Sequence, residues 1–334
     1  MYERLDTVGL KSGEEVEMGV VRGPELEWAD RVEALLAHKG EIWRWGNEKV
    51  LREDVGLEPY FYILHRDGVP FANMMNVEYR GVGIYGHVFT KPEDRRQGAA
   101  SAIMSRLMDH FRTRGGKALF LGTGYDSPAY HIYSAYGFKS IEPRSGYMAF
   151  YTASQEAFEA AYFAPGKTRI DRLAPIHWPM SPALFSGDFP GVVRSAVMHQ
   201  FGRGSTEGPM LPLLRDELER EMENRPVRTA VLVQPESGGM VGLATWGRDS
   251  LWPGTCLVDV YCHPGFWGRA GDLLGAIALP AESDRYVAYC DTTFAAKETV
   301  LEGAGFRKTA VHESRVAADR EKTRFVDVGV WEKA

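Results

Sequence analysis

Residues 91–100 read KPEDRRQGAA, and what flanks them decides the fold of the first half of the chain. Residues 82–90 (VGIYGHVFT) before them have the β-branched and aromatic content of a strand. After them, Ala100, Ile103, Met104, Leu107, Met108 and Phe111 recur at helical spacing. Ser101, Arg106, Asp109 and Arg112 take the opposite face, and Gly115-Gly116 supplies a stop. A strand therefore feeds a helix through a turn with one glycine, Gly98. The start of a helix leaves backbone N–H groups unpaired and carries the positive end of the helix dipole. With Arg95 and Arg96 adding charge, this turn is a candidate pyrophosphate cradle. The same segment reads equally as an ordinary connection with solvated arginines. No GxxxxGK followed by Ser or Thr is present, and no GxGxxG follows a strand, so nucleotide hydrolysis and dinucleotide redox lack their usual anchors.

Working outward, residues 15–21 (EVEMGVV) read as a strand closed by Gly23-Pro24, and residues 25–40 as an amphipathic helix. A second helical stretch, residues 41–54, is interrupted by Gly46. Residues 60–65 and 71–79, separated by Arg66-Asp67-Gly68, form an antiparallel hairpin. Downstream, residues 119–122 are a short buried strand. A helix over 128–136 starts at Pro128 with Asp126 or Ser127 as N-cap and ends at Gly137. A polar helical piece precedes Ala164-Pro165-Gly166-Lys167-Thr168, where we place a domain boundary, giving domains 1–165 and 166–334. Beyond it the order restarts: strand and helix, a long helix near 211–223, and strands at 229–234, 241–246 and 256–262. A helix, a strand at 287–290 and a last helix with Gly305-Phe306 follow. That order indicates a duplicated domain.

A length of 334 residues suits two domains with a core each. The net charge of −6 argues against nucleic acid or an anionic membrane as partner, since both select basic faces. No stretch approaches the apolar length of a spanning helix and no signal sequence opens the chain, so a cytoplasmic protein is expected. Cys256, Cys262 and Cys290 are odd in number and form no CxxC pair. Burial as small hydrophobes is expected of them, with no structural zinc, no metal and no disulfide framework.

At residues 92–100 the chain resembles the GNAT superfamily of N-acetyltransferases. That family's coenzyme A loop reads Gln/Arg-x-x-Gly-x-Gly/Ala, here filled by Arg95, Gly98 and Ala100 with Pro92 upstream. A second family element, AxxxYxxxGF, is matched by Ala129, Tyr133, Gly137 and Phe138. The resemblance covers most of residues 15–150. It implies an α/β fold, a mixed sheet splayed between its central strands and flanked by helices, with acetyl-CoA as co-substrate in the gap. It also implies that the backbone of Val88, Phe89 and Thr90 pairs with the pantetheine arm. Arg95, Arg96, Gln97, Gly98, Ala99 and Ala100 would hold the pyrophosphate, and Asp126 stands where the family often has asparagine.

Acyl transfer to an amine needs an acid for the departing thiolate, and a positioned one contributes roughly 10²–10⁴-fold. Tyr133 occupies the family's usual place for it, although a tyrosine on this helix reads equally as core. Glu78, His87, Asp126 and His131 are bases by residue type, and an amine that arrives deprotonated needs none. The C-terminal half resembles the same family in degraded form. His263-Pro264 aligns with Lys91-Pro92, and residues 301–306 (LEGAGF) align with 133–138. Trp267, Ala270 and Asp272 then stand where Arg95, Gly98 and Ala100 do, and Leu301 replaces the tyrosine. An aspartate repels a pyrophosphate, while a one-residue slip brings Gly271 into the loop. The expected arrangement is therefore two tandem GNAT-like domains with the second non-catalytic. The expected function is acetyl, or short acyl, transfer to a small-molecule primary amine by a monomer or homodimer. The alternative is a non-catalytic acyl-coenzyme A binding or sensing protein.

Overall fold

The computed structural model describes residues 1–333. The chain divides into two compact units, one of Met1–Lys139 with Met148–Gln155, the other of Ser140–Tyr147 with the chain from Glu156 onward. Both are mixed α/β, each a sheet flanked by helices.

The first unit runs β1 (Tyr2–Gly9), β2 (Glu15–Arg22), α1 (Leu26–Leu35), α2 (Glu41–Arg52), β3 (Glu58–Arg66), β4 (Val69–Tyr79) and β5 (Val82–Thr90). Then come α3 (Ala99–Thr113), β6 (Ala118–Gly122), α4 (Pro128–Ala135), β7 (Lys139–Ser140) and β8 (Tyr147–Tyr151). The strands are ordered β1-β2-β3-β4-β5-β6-β8-β7. From β1 to β5 the pairings are antiparallel, and β5–β6 is parallel. Strands β3 and β4 are buried almost throughout, as a sheet covered on both faces requires. Tyr62, Leu64 and Met74 meet Ile103, Met104, Leu107, Met108 and Phe111 of α3 in one core cluster. On the alternate residues, Phe61, Ile63, Met75 and Val77 are buried too, and α1 lies against β4 with Trp28, Ala29, Val32 and Leu35 buried. Gly46 does not interrupt α2, where it is buried mid-helix. Strand β1 lies outside the sequence expectation, as an edge strand pairing with β2 only.

The β5–β6 pairing is short. It covers Val82↔Ala118, Gly83↔Leu119 and Ile84↔Phe120, and then the strands part. From Tyr85 to Thr90, β5 pairs with β4 alone. Gly83 sits just before the parting point, where an added Cβ would lie 2.9 Å from the Val77 carbonyl and 3.0 Å from Leu119 Cδ2.

The second unit contains α5 (Gln155–Tyr162, its first residue in the other unit), β9 (Arg169–Arg172), α6 (Ser181–Ser186), β10 (Val193–Ser195), β11 (Gln200–Phe201) and α7 (Met210–Met222). It continues through β12 (Thr229–Gln234), β13 (Gly239–Arg248), β14 (Thr255–Cys262), α8 (Ala270–Gly275), β15 (Arg285–Asp291), α9 (Ala295–Gly303), β16 (Arg307–Ala317) and β17 (Phe325–Lys333). Its seven-stranded sheet is ordered β16-β17-β15-β14-β13-β12-β9, antiparallel except for β14–β15, and β10 and β11 form a separate antiparallel pair. The chain does not end on the helix containing Leu301, as expected, but continues into the β16–β17 hairpin. Residues 307–315 of β16 are exposed, and two register shifts break its pairing with β17. Cys256, Cys262 and Cys290 are buried and unpaired with one another.

Gly83→Val forces a branched side chain into the last closed stretch of the β5–β6 pair. It is expected to lower unfolding stability by about 1–3 kcal/mol, read by urea denaturation. An unchanged midpoint would mean that this apex is not tightly packed.

Candidate functional site

The turn from β5 to α3 is built by three backbone features. Pro92–Asp94 form a 3-10 turn, Arg95 is extended with its Nε donating to the Thr90 carbonyl at 3.1 Å, and Arg96 and Gly98 have φ of +64° and +89°. Gly98 is the N-cap of α3, and no side chain caps the first turn. Nothing lies within 4 Å of where a Gly98 Cβ would stand, so the helix start is open. A glycine takes this left-handed conformation without the penalty that a side chain incurs. Arg66 braces the turn from below, with Nε 2.6 Å from Glu14 Oε1 and Nη2 2.7 Å from the buried Asp94 Oδ1. The Lys11 N–H donates to the Gln97 carbonyl at 3.1 Å, so the β1–β2 turn buttresses the loop. Arg95 and Arg96 are exposed, Gln97, Gly98 and Ala100 are half-buried, and Ala99 is buried.

Along β5, Val88, Phe89 and Thr90 are half-buried and paired on one edge only. Between the pairs Asn73↔Phe89 and Met75↔Gly86, β5 carries one residue more than β4, a β-bulge with His87 at φ +52°. Asn73 Nδ2 donates to the His87 carbonyl at 2.9 Å and pins it. Residues 87 and 89 point to one face: His87 packs edge-on against Trp43 (5.1 Å) and Phe89 lies against His38 (4.1 Å). Val88 points the other way, onto the core cluster beneath α3.

Tyr133 is 5% exposed on α4. Its ring is edge-on to Tyr85 at 5.2 Å and 6.1 Å from Phe138. Tyr85 is the first β5 residue beyond the β5–β6 pairing, so Tyr133 stands where the strands part. The Tyr85 hydroxyl lies 3.0 Å from Met74 Sδ. Burial first, then the charge and hydrogen bond of Tyr133, hold its pKa well above the ordinary tyrosine value.

The other expected residues are placed differently. Glu78 is buried at the far end of β4, five residues or roughly 17 Å along the strand from the partner of Phe89. Its two oxygens take Arg114 Nη2 at 2.9 Å and Nη1 at 3.0 Å, and Arg114 in turn stacks over Tyr60 at 3.6 Å. There β5 and β6 are still paired, so Glu78 does not reach the open gap. Burial raises its carboxyl pKa against the pull of Arg114. Asp126 is exposed at φ +60° with His131 Nε2 2.9 Å from its Oδ1, and the N-cap of α4 is Ser127, which accepts from the Tyr130 N–H. His87 does face the region beyond the bulge. Burial, then the charges of Lys39 and His38, push its pKa down to about 3, and its Nδ1 has no hydrogen-bond partner among the described residues. Sequence reasoning did not single out Tyr85, Asn73, Arg66 or the His87 bulge. The asparagine opposite the strand was the one available signal.

The second unit treats the same topological point differently. Strand β14 parts from β15 after Leu257↔Val287. Residues 190–197 are tied to both strands there. Asp291 accepts from the Val192 and Val193 N–H groups, and Asp259 Oδ2 accepts from Ser195 Oγ at 2.9 Å and the Val197 N–H at 2.7 Å. The fully buried Lys297 donates to the Val193 carbonyl at 3.0 Å, and Tyr261 Oη donates to the Pro190 carbonyl at 3.1 Å. Residues 264–269 form a 3-10 helix, and Asp272 in the first turn of α8 is held by Arg269 at 2.9 Å. An apolar groove of about 630 Å³ remains between α8 and α9, lined by Leu274, Ile277, Val300 and Phe306.

Residues 27–138 match the model of the acetyltransferase (GNAT) family. This match points to acyl transfer from acyl-CoA as the class of activity. No curated protein matches the chain. Among solved structures, an N-acetyltransferase from Staphylococcus aureus Mu50 is 15% identical, with 50% of this chain and 98% of that one covered and a TM-score of 0.37. A ribosomal-protein-S5-alanine acetyltransferase from Vibrio fischeri is 14% identical, with coverage of 51% and 94% and a TM-score of 0.36. A structure from Salmonella typhimurium determined with its cofactor acetyl-CoA is 19% identical, with coverage of 50% and 94% and a TM-score of 0.35. Among the described residues no helix is long and apolar enough to cross a membrane.

His87 gives a pH signature. Its folded pKa, about 3, lies below the ordinary histidine value of 6.5, so between these values the unfolded chain binds the extra proton. The stability from burying the neutral ring is complete above pH 6.5 and is lost as pH falls through that window. His87→Asn, which tolerates the left-handed backbone, should flatten the loss of stability between pH 6.5 and 3. Equal slopes in wild type and variant, from urea melts across that range, would show that His87 protonates as freely folded as unfolded.

Proposed function

We propose that the first unit is an N-acetyltransferase that moves an acetyl or short acyl group from acyl-coenzyme A to a small-molecule primary amine. The observation that carries this reading is the parting of β5 from β6 after Ile84, with the open Gly98 turn at the far end of the freed strand. The freed edge of Val88–Thr90 suits a pantetheine amide, and the uncapped first turn of α3 suits a pyrophosphate. Arg95 is partly committed to the Thr90 carbonyl, so Arg96 is the freer cation there.

Bound acetyl-CoA supplies the thioester. The amine lone pair attacks its carbonyl carbon, the C–N bond forms, the C–S bond breaks, and Tyr133 gives its proton to the departing sulfur; the proton shed by the new amide nitrogen passes to solvent, and solvent restores the Tyr133 phenol. Tyr85 supports that step, because its buried hydroxyl, which donates to Met74 Sδ in the resting structure, can turn its proton to the phenolate left behind. His87 has too little proton affinity to deprotonate an ammonium, and Glu78 is committed to Arg114 away from the gap. The amine therefore arrives neutral in this reading, and no general base is assigned.

The second unit is, in the same reading, a tandem GNAT-like domain without catalysis. Residues 190–197 take the place that a pantetheine arm would need, Asp272 stands in the first turn of α8, and the buried Leu301 has no proton to give.

Calorimetry with acetyl-CoA should give one site per chain, lost in Gly98→Glu. Two sites would overturn the assignment of the second unit, and none would overturn the whole reading. Tyr133→Phe should bind acetyl-CoA as wild type does while thiol release in the presence of an amine falls roughly 10²–10⁴-fold. Undiminished release would remove Tyr133 from the chemistry. If no acceptor in an amine panel elicits release from wild type, the non-catalytic binding reading gains the case.

A further inference from the structure

Lysines are almost never buried without a partner, because desolvating an ammonium is costly. Lys39 departs from this pattern. It is half-buried in the loop between α1 and α2, where its own N–H donates to the Leu36 carbonyl at 3.0 Å. Among the described residues its side chain has no hydrogen-bond or ion-pair partner. Its surroundings place it over the bulge of β5. The neighbouring His38 ring lies 4.1 Å from Phe89, Trp43 at the start of α2 lies 5.1 Å from His87, and the charge of Lys39 acts on His87. The loop thus covers the freed stretch of β5 on the face opposite the one that α3 and Tyr133 pack against.

We propose that Lys39 is itself an acyl acceptor: its Nζ attacks the thioester carbonyl held along β5 and becomes N-acylated. The C–N bond forms and the C–S bond breaks. Coenzyme A leaves as the thiol, and the proton lost by the amine balances the one gained by sulfur. The inference rests on the acetyl-CoA reading above. Burial lowers the pKa of Lys39 and so raises its neutral fraction. The product fits the place better than the reactant does, since an acylated lysine carries no charge to desolvate.

The test uses the full chain incubated with acetyl-CoA, followed by intact mass and peptide mapping, with calorimetry run in parallel. The expected result is one acetyl group per chain, mapped to Lys39 and gained at least tenfold faster than at any other lysine. The rate should be independent of protein concentration. Lys39→Arg should bind acetyl-CoA yet stay unmodified, and Gly98→Glu should lose both binding and the fast modification. If wild type binds acetyl-CoA but Lys39 reacts no faster than surface lysines, the inference falls and the acetyl-CoA site stands. If wild type does not bind, both fall. A fast reaction at Lys39 that persists in Gly98→Glu overturns the inference too, because the reagent would then be attacked from solution.

Discussion

Most of what is distinctive in the first unit follows from two parallel strands that cannot stay together. Only three residue pairs join β5 to β6. Beyond them β5 keeps one partner, gains a residue at the bulge, and turns its His87 carbonyl to the side chain of Asn73 on that partner rather than to a backbone N–H. An unpaired strand edge inside a protein leaves backbone donors and acceptors without partners, which costs free energy unless something replaces the missing strand. In the proposed reading, the remainder of the unit prepares that replacement. Helix α3 begins at the end of the freed strand, Arg66 and Lys11 hold the turn, and the Tyr85–Tyr133 contact closes the apex.

The second unit meets the same constraint by the opposite means. Its β14–β15 pair is equally short, but residues 190–197 of its own chain occupy the strands' parting. Main-chain groups there are satisfied by Asp259 and Asp291, and the resulting burial of carboxylates is compensated by Lys297, 4.0 Å from Asp259 Oδ1. Buried charges of this kind are stabilising only as a set, because removing one leaves the others desolvated and unpaired. In the proposed reading, what a ligand would supply from solution in one unit is built into the sequence in the other.

The parts of this structure that were legible in the sequence are those whose side chains sort between core and water. Helix α3 was plain because Ile103, Met104, Leu107 and Phe111 must share one face, and the β3–β4 hairpin because two runs rich in aromatic and aliphatic residues flank the turn Arg66-Asp67-Gly68. Strands β1 and β16 were not legible. Both lie at sheet edges and expose most residues on both faces, so no period-two pattern marks them. The Gly98 turn announced itself through glycine, whereas the left-handed His87 did not, because its conformation is imposed by the bulge and by Asn73 across the strand. The placement of Glu78 was beyond sequence reasoning because its partner, Arg114, lies 36 residues away. Nothing local distinguishes a carboxylate bound for an ion pair from one bound for a cleft.

The exposed outer strand β16 carries a further consequence. A free sheet edge is a template on which another extended chain can add, and long flat ones invite aggregation. β16 is long, but it is neither flat nor neutral. Its two irregularities, between Lys308 and Ala310 and between His312 and Val316, interrupt any regular ladder of hydrogen bonds. Arg307, Lys308, Glu313 and Arg315 set charge along it. The irregular register thus works against an incoming strand zipping along the length of β16.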